Sequence, residues 1–335
     1  MKILGIESSC DETSISIVED NAVRINIIAS QSLHASFGGV VPEYASREHM
    51  RLISALTREA FEKTGLALEE MDGIAVTRGP GLMGALLVGL SFAKGLAYAL
   101  RKPLIGVNHV EGHIMANFLD HAELEFPFLC LLVSGGHTQI VYVRDFGDYQ
   151  ILGRSVDDAA GEAFDKAARI LELEFPGGPA IDRRSGGGNP KFYHFPRACI
   201  KGARDNFSFS GLKTALLYLV RQEGKDWATT HLTDLCASYQ EAIVQVLKTH
   251  AFRVLRENGL SKLVLAGGVA ANSRLREVFA AEAPKQGVRI FFPSLEYCTD
   301  NAAMIARTGV EMLRRGLTSS LEISAIPNLS LETPA

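Results

Sequence analysis

The 335-residue chain has no C-x-x-C pair, and its five cysteines (Cys10, Cys130, Cys199, Cys236, Cys298) are scattered and odd in number. That usage excludes a disulfide framework and fits a reducing cytoplasm. There is no basic excess either: the formal net charge is −4. An autonomous nucleic-acid binder normally carries a strong positive balance, so any RNA must be held by a local patch or with a partner's help. The opening residues MKILGIESSCDE carry too short an apolar run for a signal peptide and turn acidic at once. Low-complexity tracts are absent. Only residues 81–100 approach the length of a bilayer span, and Lys94 and recurring glycines interrupt them. They read as a buried core helix, with Gly81, Ala85 and Gly89 letting another helix approach closely. The expectation is a soluble cytoplasmic protein with no membrane role.

What is present suffices for two cores, with 47% hydrophobic residues. The architecture is written twice. Residues 3–18 and 129–143 both read as strand, tight turn, strand. Residues 74–95 and 263–280 both read as strand, glycine turn, helix. Short strands at 103–107 and 288–292 then lead to the His109 helix and to Asp300 with a helix from Asn301 to Met312. Three matched pairs in matched order predict a duplicated α/β protein. Its first lobe covers 1–125 and its second 126–299, with an insertion at about 175–230. A C-terminal helix at about 300–325 packs back on the first lobe. In such folds ligands bind where corresponding loops meet, in the cleft between lobes.

The densest chemistry lies in Asn108-His109-Val110-Glu111-Gly112-His113. Imidazoles four residues apart on a helix lie about 40° apart around its axis, so both can reach one ion. The repeat places Asp300 opposite them across the cleft, a two-histidine, one-carboxylate set for iron or zinc. Asp before a helix is equally a plain N-cap. Glu111 lies about 200° round the helix from His109, unlike the glutamate of H-E-x-x-H peptidases, and so cannot act on a metal-bound water.

A second group of residues suits a nucleotide. Leu132-Val133-Ser134-Gly135-Gly136 forms a glycine turn whose amides can cradle phosphate, followed by His137. Asp158, Glu162 and Asp165 line a helix that either holds ribose hydroxyls or faces solvent. Pro-Gly-Gly-Pro leads into Asp182, and Asn272 follows Gly267-Gly268, where it either meets a base or caps the next helix. Arg183, Arg184, Lys191, Arg197, Lys201 and Arg204 interleave with Phe192, Tyr193 and Phe195. That mixture suits an RNA backbone with stacked bases, or is a solvated loop. Asp11 and Glu12, at the tip of the first hairpin, are ordinary turn residues, or one of them is a base or orienter.

The stretches GIESSCDETS, TRGPGLMGALLVG, NHVEGH, LLVSGGHT, DDAAGEAFDK, FPGGPAID, FSFSGLKTAL, LAGGVAANSRLR and CTDNAAMIA resemble, in order and over nearly the whole chain, the TsaD family, once called Gcp or O-sialoglycoprotein endopeptidase. The bacterial members are the nearest match. The resemblance implies a duplicated actin-like fold of the ASKHA class. It implies transfer of threonylcarbamoyl from threonylcarbamoyl-adenylate to N6 of adenosine 37 in ANN-decoding tRNA, with AMP released. It assigns one Fe²⁺ or Zn²⁺ to His109, His113 and Asp300. The adenylate falls to Leu132, Val133, Ser134, Gly135, Gly136, Asp165, Gly178, Asp182 and Asn272. It also brings a TsaB-like paralogue that pairs through the first lobe, a TsaE-like ATPase, and a separate TsaC-like enzyme that makes the donor. Rival readings are an ATPase or kinase on the same fold, a metallopeptidase, and a non-catalytic scaffold.

Overall fold

The protein is represented by a computed structural model, which describes residues 1–31, 34, 37, 39–196 and 205–332. The chain divides into two compact units, residues 1–124 with 293–335, and residues 125–292.

Unit 1 opens with strands β1 (Lys2–Glu7), β2 (Glu12–Glu19) and β3 (Ala22–Ser30). Helix α1 (Pro42–Thr64) follows, then β4 (Gly73–Gly79), α2 (Met83–Leu100), β5 (Leu104–Asn108) and the short α3 (His109–Met115). The sheet order is β3-β2-β1-β4-β5; the hairpin strands are antiparallel, and β4 and β5 run parallel to β1. β1 is buried along almost its whole length, as a strand covered on both faces must be. Ile3, Leu4, Ile6, Ile15 and Ile17 are fully enclosed, each contributing about 1.5–3 kcal/mol of apolar burial.

Unit 2 repeats the scheme. Strands β6 (Phe128–Val133), β7 (Thr138–Asp145) and β8 (Asp148–Arg154) precede α4 (Ala160–Ile170) and α5 (Gly177–Arg184). Then come α6 (Ser210–Glu223), the long α7 (Leu232–Glu257), β9 (Lys262–Ala266), α8 (Ser273–Glu282) and β10 (Arg289–Phe291). The order β8-β7-β6-β9-β10 is that of the first sheet, with the same pattern of antiparallel and parallel pairs. This is the duplicated actin-like fold.

The chain then returns to unit 1 through α9 (Ala302–Arg314). Small residues let α9 lie flush on the sheet. A Cβ added at Gly5 would stand 2.3 Å from the Ala302 carbonyl oxygen, and one at Gly309 would stand 2.6 Å from the Ala75 Cβ. The helix is shorter than the 300–325 read from sequence. Gly316, at φ +73°, turns the chain out of it. Residues 317–330 instead run as a strap beside β4 and β5. Ser319 donates its N–H to the Leu104 carbonyl at 2.7 Å, Ile326 donates to that of Arg78 at 2.9 Å, and Asn108 Nδ2 donates to that of Ser330 at 3.0 Å.

The small residues before and along α2 also serve differently from expectation. They receive the Ser8-Ser9 turn rather than a helix. Leu82 donates to the Ser9 carbonyl at 2.8 Å, Ser8 Oγ donates to that of Ala85 at 3.0 Å, and a Cβ at Gly89 would meet Ser8 Oγ at 2.3 Å. By length and composition α2 is one helix able to cross a membrane. Here Ala85, Leu86, Leu90, Ala93 and Ala97 face the core of unit 1.

Candidate metal centre

Two asparagines place the donors. Asn108, at the end of β5, caps α3: its Oδ1 accepts from the backbone N–H of Val110 at 2.9 Å and of Glu111 at 3.4 Å. That fixes His109 in the first turn and His113 one turn on, both buried, with ring centroids 4.8 Å apart and planes near perpendicular. Asn301 caps α9 through Met304 N–H at 3.0 Å and donates Nδ2 to the Thr299 carbonyl at 2.8 Å. Ser14 Oγ on β2 accepts from Ala302 N–H at 2.9 Å. Asp300 is therefore held on a loop pinned at both sides.

Asp300 Oδ1 lies 3.1 Å from His113 Nε2 and 3.5 Å from His109 Nε2, and donor atoms of the three side chains fall within 4.8 Å of one another. Ligands at the usual 2.0–2.1 Å from one ion, at octahedral to tetrahedral angles, stand roughly 3.0–3.4 Å apart. The two carboxylate–imidazole distances match that spacing and the histidine pair stands wider, so the trio is a candidate site for one metal ion, with the chemistry of a two-histidine, one-carboxylate set with open positions. Glu111 is not in the donor group.

The three residues come from distant parts of the sequence but from one unit, not from opposite sides of a cleft between lobes. The duplication places the Asp300 loop after β10. The chain leaves unit 2 at Phe292, however, and α9 packs on β1 and β4 of unit 1.

A buried carboxylate that the sequence reading passed over completes the surroundings. Glu7, at the end of β1, is fully enclosed, with Oε2 3.1 Å from His109 Nδ1. Burial opposes a charged imidazole at His109, yet the neighbouring Asp300 and Glu7 carboxylates raise its pKa well above the ordinary value. Burial likewise opposes ionisation of Asp300, but His109 and His113 hold its carboxyl far below the usual range. His113 Nδ1 is buried without a hydrogen bond among the described residues.

Asp11, in the turn, and Glu12, the first residue of β2, lie next to this corner. Burial, reinforced by Asp300 and Asp11, pushes the Glu12 carboxyl up to about 9, so it is protonated at neutral pH. His49 on α1 braces this corner, with Nδ1 2.8 Å from Thr13 Oγ1 and Nε2 3.0 Å from the Cys10 carbonyl. Burial lowers its pKa.

The residues read as nucleotide-binding all lie in unit 2. Leu132 and Val133 are interior residues of β6, so they can offer only backbone. The next turn closes on itself: Ser134 N–H donates to the His137 carbonyl at 2.8 Å, and His137 N–H to Ser134 Oγ at 3.1 Å. Gly135 and Gly136 are exposed, and a Cβ at either, or at Gly178, would meet nothing within 4 Å. None of the three has a positive φ. Their lack of a side chain is thus required neither by packing nor by conformation, and it leaves backbone open to a ligand. Gly161 and Gly177 differ: there a Cβ would stand 2.5 Å from the Ser134 carbonyl oxygen and 2.6 Å from the Asp165 Cα.

Asp165 Oδ1 accepts from Gly177 N–H at 2.7 Å; burial nonetheless raises its pKa. Asp182 receives Ser273 Oγ and N–H at 2.7 and 2.9 Å. Asn272 caps α8 at 2.9 Å through Leu275 N–H and donates to Gln240 Oε1 at 2.7 Å. The capping geometry read for Asn272 is therefore realised. Asp158 and Glu162 are tied to Lys166 at 2.6 and 2.9 Å.

In the basic patch, Arg184 and Lys191 are exposed, Arg183 pairs with Glu174, and Phe192 stacks on Trp227 and His231 with centroids 5.9 and 5.2 Å away. Arg197, Lys201 and Arg204 lie outside the described residues.

The family model of tRNA N6-adenosine threonylcarbamoyltransferase, TsaD, matches residues 22–307. The chain is 51% identical over 332 residues to the tRNA N6-adenosine threonylcarbamoyltransferase of Fervidobacterium nodosum, covering 98% of each chain. It is 52% identical to that of Clostridium perfringens strain SM101, again covering 98% of each. Among solved structures, component A of Acidaminococcus fermentans (R)-2-hydroxyglutaryl-CoA dehydratase aligns with a TM-score of 0.55 at 15% identity, covering 94% of this chain and 99% of that one. That likeness concerns the fold alone. With two matching sheets, a clustered donor trio and relatives alike from end to end, the chain belongs to the TsaD family of tRNA N6-adenosine threonylcarbamoyltransferases.

Proposed function

We propose that the chain transfers threonylcarbamoyl from threonylcarbamoyl-adenylate to N6 of adenosine 37 in ANN-decoding tRNA, releasing AMP. The observation that carries this reading is the His109–His113–Asp300 trio, its donor atoms gathered within 4.8 Å in a member of this transferase family. The C–O bond of the carbamic-phosphoric anhydride breaks, a C–N bond to the exocyclic amine forms, and the amine loses one proton. The leaving group is already good, so the protein's task is to position a weak nucleophile and remove that proton.

His109, His113 and Asp300 would hold one Fe²⁺ or Zn²⁺, which would supply Lewis acidity toward the threonylcarbamoyl end. The segment Leu132 to Gly136 holds the phosphate through the open backbone of Gly135 and Gly136, with Asp165, Gly178, Asp182 and Asn272 around the rest of the adenylate. One of Asp11 and Glu12, at the tip of the first hairpin, serves as base or orienting group. The open turn at Gly135 and Gly136 supports the phosphate reading, since added side chains there would displace only a ligand.

The tRNA contact includes Arg184 and Lys191. With a net charge of −4 the chain needs help to hold tRNA. A TsaB-like paralogue docks on the outer side of α1 and α2, where Met50, Met83, Leu87 and Tyr98 are exposed. A TsaE-like ATPase joins them in the cytoplasm, and a TsaC-like enzyme supplies the donor.

Reconstitution with synthetic threonylcarbamoyl-adenylate, unmodified tRNA and both partners tests the reading, with modified nucleoside followed by mass spectrometry. Wild-type protein forms the product and His109→Ala does not. Absence of product with every component present would refute the transfer. Full activity of His109→Ala would refute the role of the metal. Proteolysis abolished by Glu111→Ala would revive the peptidase reading.

A further inference from the structure

We infer that Glu7 is a positioning residue for the metal centre, holding the His109 ring with Nε2 turned to the ion. The inference rests on the metal reading of His109, His113 and Asp300 and goes beyond it to a residue outside the donor set.

An imidazole ligates through a nitrogen lone pair, so its other nitrogen must carry the proton. A carboxylate at that second nitrogen fixes both the tautomer and the ring orientation. Glu7 Oε2 stands 3.1 Å from His109 Nδ1, while His109 Nε2 faces Asp300. Ser9 Oγ, 3.2 Å from the same nitrogen, is a neutral second partner.

Glu7 is fully buried, and an unpaired carboxylate there would be strongly unfavourable. Every remaining contact braces it. Oε1 accepts Ser9 N–H at 2.5 Å, and Oε2 accepts the Thr77 hydroxyl at 2.5 Å. Ser9 in turn is locked to Leu82 by its carbonyl at 2.8 Å. The carboxylate therefore cannot follow a moving ring; the ring must conform to it. Glu7 adds a buried negative charge to that of the half-buried Asp300 beside the histidines, which suits a divalent cation better than one carboxylate would.

A glutamate serving only to tie the Ser8-Ser9 turn to β4 would make the Ser9 and Thr77 bonds equally well. The two roles separate in metal binding. Zn²⁺ affinity is measured on the full chain by competition with a chromophoric chelator, and the d–d spectrum is recorded with Co²⁺. Glu7→Gln is expected to bind Zn²⁺ about 10- to 100-fold more weakly and to shift the Co²⁺ bands. Glu7→Asp, which keeps the charge and shortens the reach, is expected to fall between it and wild type. Thr77→Val, which removes one brace but leaves the carboxylate at Nδ1, is expected to weaken Zn²⁺ binding and shift the Co²⁺ bands less than Glu7→Gln does.

Melting with and without Zn²⁺ covers a loss of fold: a positioning role shrinks the metal-induced rise in Tm. If Glu7→Gln melts lower without metal, yet gains the wild-type increment and keeps wild-type affinity and Co²⁺ spectrum, Glu7 is a brace only and the inference is overturned. Wild-type protein that binds neither ion would instead overturn the metal reading, and this one with it.

Discussion

The two units share one sheet plan and present opposite surfaces at the same hairpin. In unit 1, β1 ends at Glu7, and the turn that follows is packed against Gly81 and Gly89. In unit 2, β6 ends at Val133, and its turn carries Gly135 and Gly136 facing open space. The first hairpin spans six residues between its last paired positions, Glu7 and Ser14, and the second spans four, between Val133 and Thr138. The longer turn carries Cys10, Asp11 and Glu12. Duplication thus supplied a common frame. One copy gathers buried charged side chains, and the other bares backbone amides. An ion needs fixed lone pairs, whereas a phosphate is well served by N–H groups without side chains around them.

This contrast can be broken experimentally. The largest effect is expected from His113→Ala, which should lower bound metal from about one ion per chain to near zero by elemental analysis. Binding of AMP, measured by calorimetry, should change little. Parallel loss of both would mean that the units do not divide the chemistry.

Substitutions of glycine sharpen it next. Gly136→Val should weaken AMP binding by about tenfold, or roughly 1.4 kcal/mol, with Tm unchanged, because nothing packs there. Gly161→Ala, whose Cβ would stand 2.5 Å from a carbonyl oxygen, should instead cost about 1–3 kcal/mol of stability in denaturant melts. Similar Tm values for the two variants would contradict the assignment. Gly5→Ala should cost a comparable amount and also lower metal affinity, since it pushes α9, and with it Asp300, from the sheet.

The smallest expected effects separate the units by pH. In metal-free protein the folded pKa values of His109 and Glu12 lie above their ordinary values, the latter at about 9. Stability they confer is present below the unfolded pKa and is lost as pH rises through the folded one. Amide exchange in unit 1 should therefore speed up more between pH 7 and 9 than pH alone explains, and Glu12→Gln should reduce that slope. In unit 2, burial opposes ionisation of Asp157, but bonds from Ser208, Phe209 and Ser210 prevail and lower its pKa. Its contribution is present above the unfolded value near 4 and is lost as pH falls further. Asp157→Asn should cost about 1 kcal/mol at neutral pH, as lost helix-cap interactions do.

Local pattern carried much of this to the sequence. Paired hairpins, glycine turns and the order of strands and helices depend on neighbours a few residues apart, and all reappear in the two sheets. The i, i+4 spacing of His109 and His113 is likewise a property of one helix. Tertiary relations were less legible. That Asp300 joins unit 1 depends on Gly5, Ala302 and Gly309 meeting across the chain. Gly81 and Gly89 accept a serine turn because of a contact some 80 residues back, which spacing alone cannot distinguish from a helix–helix face. Glu7 gave one usable signal, a carboxylate closing an apolar strand, since such a group is rarely enclosed without a partner.

The central claim is one divalent ion on His109, His113 and Asp300. X-ray absorption of the metal-loaded protein tests it most directly. Two imidazole nitrogens and a carboxylate oxygen at about 2.0–2.2 Å are expected, with no sulfur. A sulfur ligand, as from Cys10, or a spectrum unchanged in His113→Ala would contradict it.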